Sequence, residues 1–116
     1  MNVEQLRTFC LGLPGATEDV KWGNDLCFSI GSKMFCVTGV DANEGGISFK
    51  CTPEVFGELV ERDGIIPAHY VARYHWVTVE KMTAVSQDEL KELINNSYQL
   101  VLNKLPKKLR DSIPGL

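Results

Sequence analysis

The chain has 116 residues, 44% of them hydrophobic and 23% charged, a length and mix that suit one domain with its own core. That composition excludes collagen-like, low-complexity and extended disordered chains, and no stretch approaches the roughly 20 apolar residues of a membrane helix. A net charge of −3 argues against a domain that binds nucleic acid over its whole surface.

Met1 to Cys10 carries Glu4 and Arg7 and no apolar run, so no signal peptide is expected. The cysteines stand at 10, 27, 36 and 51, and none is spaced C-x-x-C as in a zinc or redox motif. A chain of this size needs no disulfide framework, so reduced thiols in a cytoplasmic protein are expected.

A first helix is predicted from Val3 to Gly12. Asn2 can cap it, Gln5 completes a capping box, and Val3, Leu6, Phe9 and Leu13 form an apolar stripe. Gly12, Pro14 and Gly15 end it. Ala16 to Asp25 reads as a loop, in which Trp22 either folds back over the core edge or forms a rim for a ligand or partner. Leu26–Ile30 and Lys33–Val37 alternate as two strands about Gly31-Ser32, a pair that suits a type II′ hairpin turn. That register sets Phe28 opposite Phe35, Leu26 opposite Val37 and Cys27 opposite Cys36. It places Leu26, Phe28, Ile30, Phe35 and Val37 on the core face and Cys27, Ser29, Met34, Cys36 and Thr38 on a smaller, solvated face.

Asp41 to Gly46 reads as a loop and Ile47 to Cys51 as a third strand. Thr52-Pro53-Glu54 starts a helix, with Thr as cap and Pro at the first helical position, that ends near Asp63-Gly64. Ile65-Ile66 fits a short edge strand. His75 to Glu80 is a further strand, Val77 and Val79 on one face and Trp76 and Thr78 on the other. Ser86-Gln87-Asp88-Glu89 reads as a capping box. Leu90, Leu93, Ile94, Ser97, Leu100, Val101 and Leu105 follow at helical spacing until Pro106. The order α-β-β-β-α-β-β-α predicts an α+β two-layer sandwich, an antiparallel sheet with helices on one face. Phe28, Phe35, Phe49, Leu93, Ile94 and Val101 should share one core.

Five segments, Leu13-Pro14-Gly15-Ala16-Thr17-Glu18, Gly31-Ser32-Lys33-Met34-Phe35, Ser48-Phe49-Lys50-Cys51, His75-Trp76 and Lys104-Leu105-Pro106-Lys107-Lys108-Leu109-Arg110, occur together in this order. As a set they resemble the MmcQ/YjbR family of small bacterial proteins over nearly the whole of residues 1–116, read as a single domain. The resemblance implies a two-layer fold related to the frataxin (CyaY-like) and secretion-chaperone-like architectures. It also implies DNA binding, a role commonly given to such proteins by analogy with a double-wing arrangement. The family has no agreed catalytic activity, so no catalytic residue carries over. An iron role of the frataxin kind would need an acidic ridge on the first helix, where Glu4 is the only acid.

The open sheet face is expected to carry Ser48, Lys50, Trp76 and Thr78, which suits a flat ligand or a nucleic-acid backbone. The plainer readings are that Trp76 covers neighbouring thiols while Lys50 reaches water, or that two copies meet through this face. His69 and His75 lack the spacing and third ligand of a zinc pair, and no thiol is placed beside them for nucleophilic catalysis. Gly45-Gly46 is too short to cradle phosphate. No enzyme activity, cofactor or metal is expected. Charge is the more informative signal: residues 1–103 hold 8 basic and 14 acidic side chains, net −6, whereas Lys104, Lys107, Lys108 and Arg110 against Asp111 give residues 104–116 a net +3. Lys104 can offset a helix dipole, but the others lie past Pro106.

The resulting expectation is weak, electrostatic DNA binding by Lys104, Lys107, Lys108 and Arg110, joined by Lys50, Arg73 and Trp76 if they share that side. The alternative is a protein-interaction or chaperone-like homodimer. A small-molecule or metal site around Trp76, His75 and Cys51 is the third reading.

Overall fold

The computed structural model of the chain describes residues 1–39, 46–69 and 71–116. Most of the predicted 41–46 loop, including Gly45, lies outside the described residues. Every predicted element appears in its predicted order, and among the described residues one strand, one α-helix and two 3₁₀ turns are added. Helix α1 (Val3–Leu11) starts at the expected capping box: Asn2 Oδ1 accepts the Gln5 N–H at 2.8 Å and Gln5 Oε1 accepts the Asn2 N–H at 3.0 Å. Strands β1 (Thr17–Lys21), β2 (Asp25–Ile30), β3 (Lys33–Gly39) and β4 (Ile47–Lys50) follow. Helix α2 (Pro53–Leu59), β5 (Ile65–Pro67), β6 (Trp76–Val79), α3 (Gln87–Asn103) and α4 (Lys107–Asp111) complete the chain, with a 3₁₀ turn (Ala72–Tyr74) ahead of β6.

The strands form one antiparallel sheet in the order β1-β2-β3-β4-β6-β5. Helices pack on one face, where Phe28, Phe35, Phe49, Val77 and Val79 meet Leu6, Leu59, Leu90, Ile94 and Tyr98. Of the six predicted core residues, five are buried and Leu93 is half-buried against the same cluster. Among the described residues no helix is long and apolar enough to cross a membrane.

Five sequence expectations are corrected. Residues 16–25 are not a loop: Thr17–Lys21 forms β1, paired with β2 from Thr17 opposite Ser29 to Lys21 opposite Asp25. This strand has a single apolar residue, Val20, and is held by its ladder and by Arg7, whose guanidinium grips the Glu18 carboxylate at 2.7 and 2.9 Å. Trp22 does not fold back, but stands 72% exposed at the β1–β2 turn.

The second correction is the hairpin. Gly31 and Ser32 both have positive φ, 57° and 68°, which makes a type I′ turn rather than II′. Ile30 pairs with Lys33 and Ser29 with Met34, but Phe35 is then an extra residue: Phe28 pairs with Cys36 and Cys27 with Val37. This β-bulge puts two consecutive side chains, Phe35 and Cys36, into the core and moves Val37 to the other face. Cys27 and Cys36 are therefore not partners across the hairpin. The outer face is also less solvated than its residue types suggest, with Cys27 fully buried and Ser29 nearly so.

The remaining corrections concern helices. Thr52 caps α2 as expected, but the helix closes at Val60, before Asp63. The Ser86 box is half-formed: Ser86 Oγ accepts the Glu89 N–H at 3.1 Å, while the Glu89 carboxylate turns to Arg62, 2.8 and 2.9 Å away. Past Pro106 the chain does not trail off but forms α4. Leu105 and Leu109 press on the hairpin turn, so that a Cβ on Gly31 would meet Leu105 Cδ1 at 2.7 Å and Leu109 Cδ2 at 3.1 Å.

Candidate functional site

At the sheet end where β3 begins, β4 ends and β6 begins, the β3–β4 ladder stops one step early. Cys36 pairs with Phe49, so the next pair would be Phe35 with Lys50. A side chain takes the place of that pairing. The Ser97 hydroxyl, fully buried on α3, donates to the Phe35 carbonyl at 2.6 Å and accepts the Lys50 N–H at 2.9 Å. Ser97 thus wedges the strands while satisfying both backbone groups. On the far side β4 remains paired with β6, Lys50 opposite Trp76.

Beyond the wedge lies a cleft of about 320 Å³. Its floor and walls are Met34, Val71, Trp76, Val101, Leu105 and Pro106, and its charged groups are Lys33, Lys50 and Lys104. Among the described residues no carboxylate, amide or hydroxyl side chain lines it. Lys33 comes from the first position of β3, Lys50 from the last of β4, and Lys104 from the C-cap of α3. Lys33 and Lys104 are exposed, and Lys50 is half-buried. Burial, and then the neighbouring Lys104 ammonium, hold the Lys50 amine below the ordinary lysine value.

This arrangement differs from that of two other half-buried cations, Arg7 and Arg62. Arg7 lies on Glu4 and Glu18, and Arg62 on Glu58 and Glu89. Among the described residues, Lys33, Lys50, Lys104, Lys107, Lys108 and Arg110 form no ion pair. Helix α4, bearing the last three, begins directly after Pro106 of the cleft wall and rests on the turn that leads into Lys33.

Of the residues singled out from sequence, Lys50, Trp76 and Lys104 therefore meet in one cleft. Lys107, Lys108 and Arg110 stand on the adjoining helix. Arg73 lies outside the cleft lining, its guanidinium 4.8 Å over the Tyr74 ring. Trp76 is 8% exposed, a wall of the cleft rather than an open stacking platform. Met34 lies on the outer sheet face as its strand parity predicts, whereas Lys33 and Val71 join the cleft without having been expected there. For Lys33 its place flanking the turn was the available signal.

The third constellation is only partly assembled. Cys51 donates its S–H to the His75 carbonyl at 3.3 Å, but the His75 ring packs edge-on against Phe56, centroids 5.6 Å apart. Burial pushes the Cys51 thiol up to about 11, away from the thiolate a nucleophile requires.

The geometry defines a small α+β domain with a lysine-rimmed apolar cleft and an adjoining basic helix. The YjbR family model matches residues 11–100, and the chain belongs to that family. It is 26% identical over 115 residues to the uncharacterized protein YjbR of Escherichia coli K12, covering 95% of each chain. It is 29% identical over 84 residues to the uncharacterized protein YbdF of Escherichia coli O157:H7, covering 70% of this chain and 67% of that one. The crystal structure of Deinococcus radiodurans DR2400, with its DUF419 domain, superposes with a TM-score of 0.86 at 30% identity, over 95% of this chain and 86% of that one. A Pseudomonas syringae protein shares the fold, with a TM-score of 0.70 at 24% identity over 87% of this chain and 99% of that one.

Proposed function

We propose that the chain is a non-enzymatic binding module that makes weak, non-specific contacts with the phosphate backbone of DNA through α4 and the rim of the cleft. The observation that carries this reading is the group of unpaired cations, Lys33, Lys104, Lys107, Lys108 and Arg110, gathered around one end of an otherwise acidic chain. Lys50 sits too far inside the cleft to count fully. Five phosphate contacts at most give a slope of log K against log salt no steeper than roughly −4.5, and an affinity of about 10⁻⁴ to 10⁻⁶ M. Sequence specificity is not expected, because α4 offers no Asn or Gln to base edges. The four free, buried thiols suit a reducing cytoplasm, where DNA is met.

The test is a salt titration of binding to mixed-sequence duplex. Replacing Lys107, Lys108 and Arg110 together by Ala should flatten the slope by about 2 to 3 and leave the fold intact, since none of the three belongs to the core cluster. Unchanged affinity in the folded triple variant removes α4 from the site. No binding by the native chain at low salt sinks the DNA reading.

A second reading, a self-associating interaction module, is favoured by a different feature. Strand β1 is a sheet edge, and it carries the exposed Val20 (52%) and Trp22 (72%). Light scattering of native chain and a Val20→Lys, Trp22→Ser variant tests it: a dimer lost in the variant supports this edge as the interface, and a monomeric native chain excludes it.

A further inference from the structure

We infer that the cleft between Lys33, Lys50 and Lys104 binds a small amphipathic organic anion, with its apolar body against Met34, Trp76 and Leu105 and its carboxylate between Lys50 and Lys104. This does not rest on the DNA reading, which uses the cations of α4 and the rim.

The wall chemistry selects the ligand. Among the described residues, six apolar side chains and three lysine ammonium groups line the cleft. A nucleobase placed there would find no side-chain amide, hydroxyl or carboxylate among the described residues for its polar edge, and unpaired polar atoms are costly to bury. An alkyl or aryl body meets only carbon and sulfur, and its single polar group must be anionic to suit an all-cationic rim. The volume, about 320 Å³, lies at the small end of ligand sites. At about 30 Å³ for each water-sized group it holds roughly ten non-hydrogen atoms, the size of an eight-carbon carboxylate.

Charge points the same way. Arg7 and Arg62 each meet two carboxylates, whereas Lys50 has a second lysine, Lys104, as its charged neighbour. The C-terminal end of α3 supplies about half a negative charge near Lys104, which three ammonium groups outweigh. A bound carboxylate would relieve the repulsion between Lys50 and Lys104 and restore Lys50 toward its ordinary basicity. The site is also preformed: the Lys50 backbone is pinned between Ser97 and β6, so little ordering accompanies binding.

The probe is octanoate, compared with octanol and inorganic phosphate, followed by the two tryptophan indole N–H signals and by calorimetry. Octanoate should bind saturably, shift Trp76 and not Trp22, and bind at least about tenfold more tightly than octanol or phosphate, because the charge-assisted contact and the apolar body are both needed. Lys50→Met and Lys104→Met should each remove most of the advantage over octanol. Lys104 is exposed, so that variant folds even if the Lys50 substitution does not. The Lys107, Lys108, Arg110 triple variant should keep octanoate affinity, which separates this site from the DNA surface. Equal binding of octanol and octanoate, unchanged octanoate affinity in Lys104→Met, or no saturable Trp76 shift would overturn the assignment.

Discussion

Ser97→Ala is the most informative single substitution in this fold, because one hydroxyl satisfies two backbone groups that the strands do not pair. Ser97 is fully buried, donating to the Phe35 carbonyl at 2.6 Å and accepting the Lys50 N–H at 2.9 Å. Removing the oxygen strands both, and each buried unsatisfied group costs about 1–3 kcal/mol. Part of that is recovered if β3 and β4 close on each other, and part because a buried hydroxyl no longer has to be desolvated. A net loss of about 2–4 kcal/mol follows. At this chain length it corresponds to a fall in Tm of roughly 8–16 °C. Urea unfolding followed by far-UV circular dichroism measures it, and the m-value should not change, since both states keep their exposed area. A loss below about 1 kcal/mol would show that the ladder can complete itself without the wedge. The account of why the cleft opens here would then be wrong.

Phe35→Ala empties a fully buried site packed edge-to-face on Tyr98, ring centroids 5.4 Å apart, and should cost about 3–5 kcal/mol in the same unfolding assay. Gly46→Ala should destabilise by on the order of 3 kcal/mol, because its Cβ would meet the Val79 carbonyl carbon at 2.7 Å, a backbone atom that cannot turn away. Gly57→Ala should do the reverse and stabilise by about 0.5–1 kcal/mol: Gly57 sits inside α2 with open space around it. Glu89 is held below 4.5, its ordinary value, by hydrogen bonding to Arg62. A carboxylate depressed in the folded state stabilises above pH about 4.5 and loses that contribution as pH falls through its folded value. The stability gap between native chain and Glu89→Gln should therefore narrow as pH drops below 4.5; a gap constant from pH 7 to 3 would assign the loss to packing instead.

The elements with a hydrophobic period were legible in the sequence, and those without one were not. Helix α3 and strand β6 declare themselves by spacing, and the caps at Asn2 and Thr52 by residue type. Strand β1 does not, because Thr17-Glu18-Asp19-Val20-Lys21 has no alternation; an ion pair to α1 and a ladder to β2 fix it, and both are tertiary. Helix α4 hides behind Pro106, which ends one helix and opens another. The hairpin shows how a local error spreads. Its turn position was readable from Gly31-Ser32, but a single extra residue at Phe35 inverts every later face of β3. Two consecutive core-sized residues, Phe35 and Cys36, were the trace it left. The Glu89 side chain likewise fits a capping box by spacing, and only the fold brings Arg62 close enough to take it.

The same bulge and wedge connect the fold to the site. The bulge brings Phe35 and Cys36 together to the core face, and the Phe35 carbonyl is left for Ser97 rather than Lys50. A lone hydroxyl in the apolar stripe of α3 was visible in the sequence, but its task exists only where three elements converge. Lys50 and Trp76 could be placed together by parity, and Lys104 by the charge asymmetry of the chain. Their meeting could not be read, because it depends on α3 ending over the gap that Ser97 opens. That gap sets two ammonium groups beside one another against an apolar wall, whereas Arg7 and Arg62 are each met by carboxylates. A purely structural surface gains nothing from that juxtaposition: Lys50→Met would keep the stem's packing and remove the repulsion. The unrelieved charge is thus the feature of this fold that calls for an anionic ligand, and the stability of Lys50→Met measures it without any ligand present. A variant more stable than the native chain marks Lys50 as retained for binding; a less stable one would make the lysine part of the scaffold.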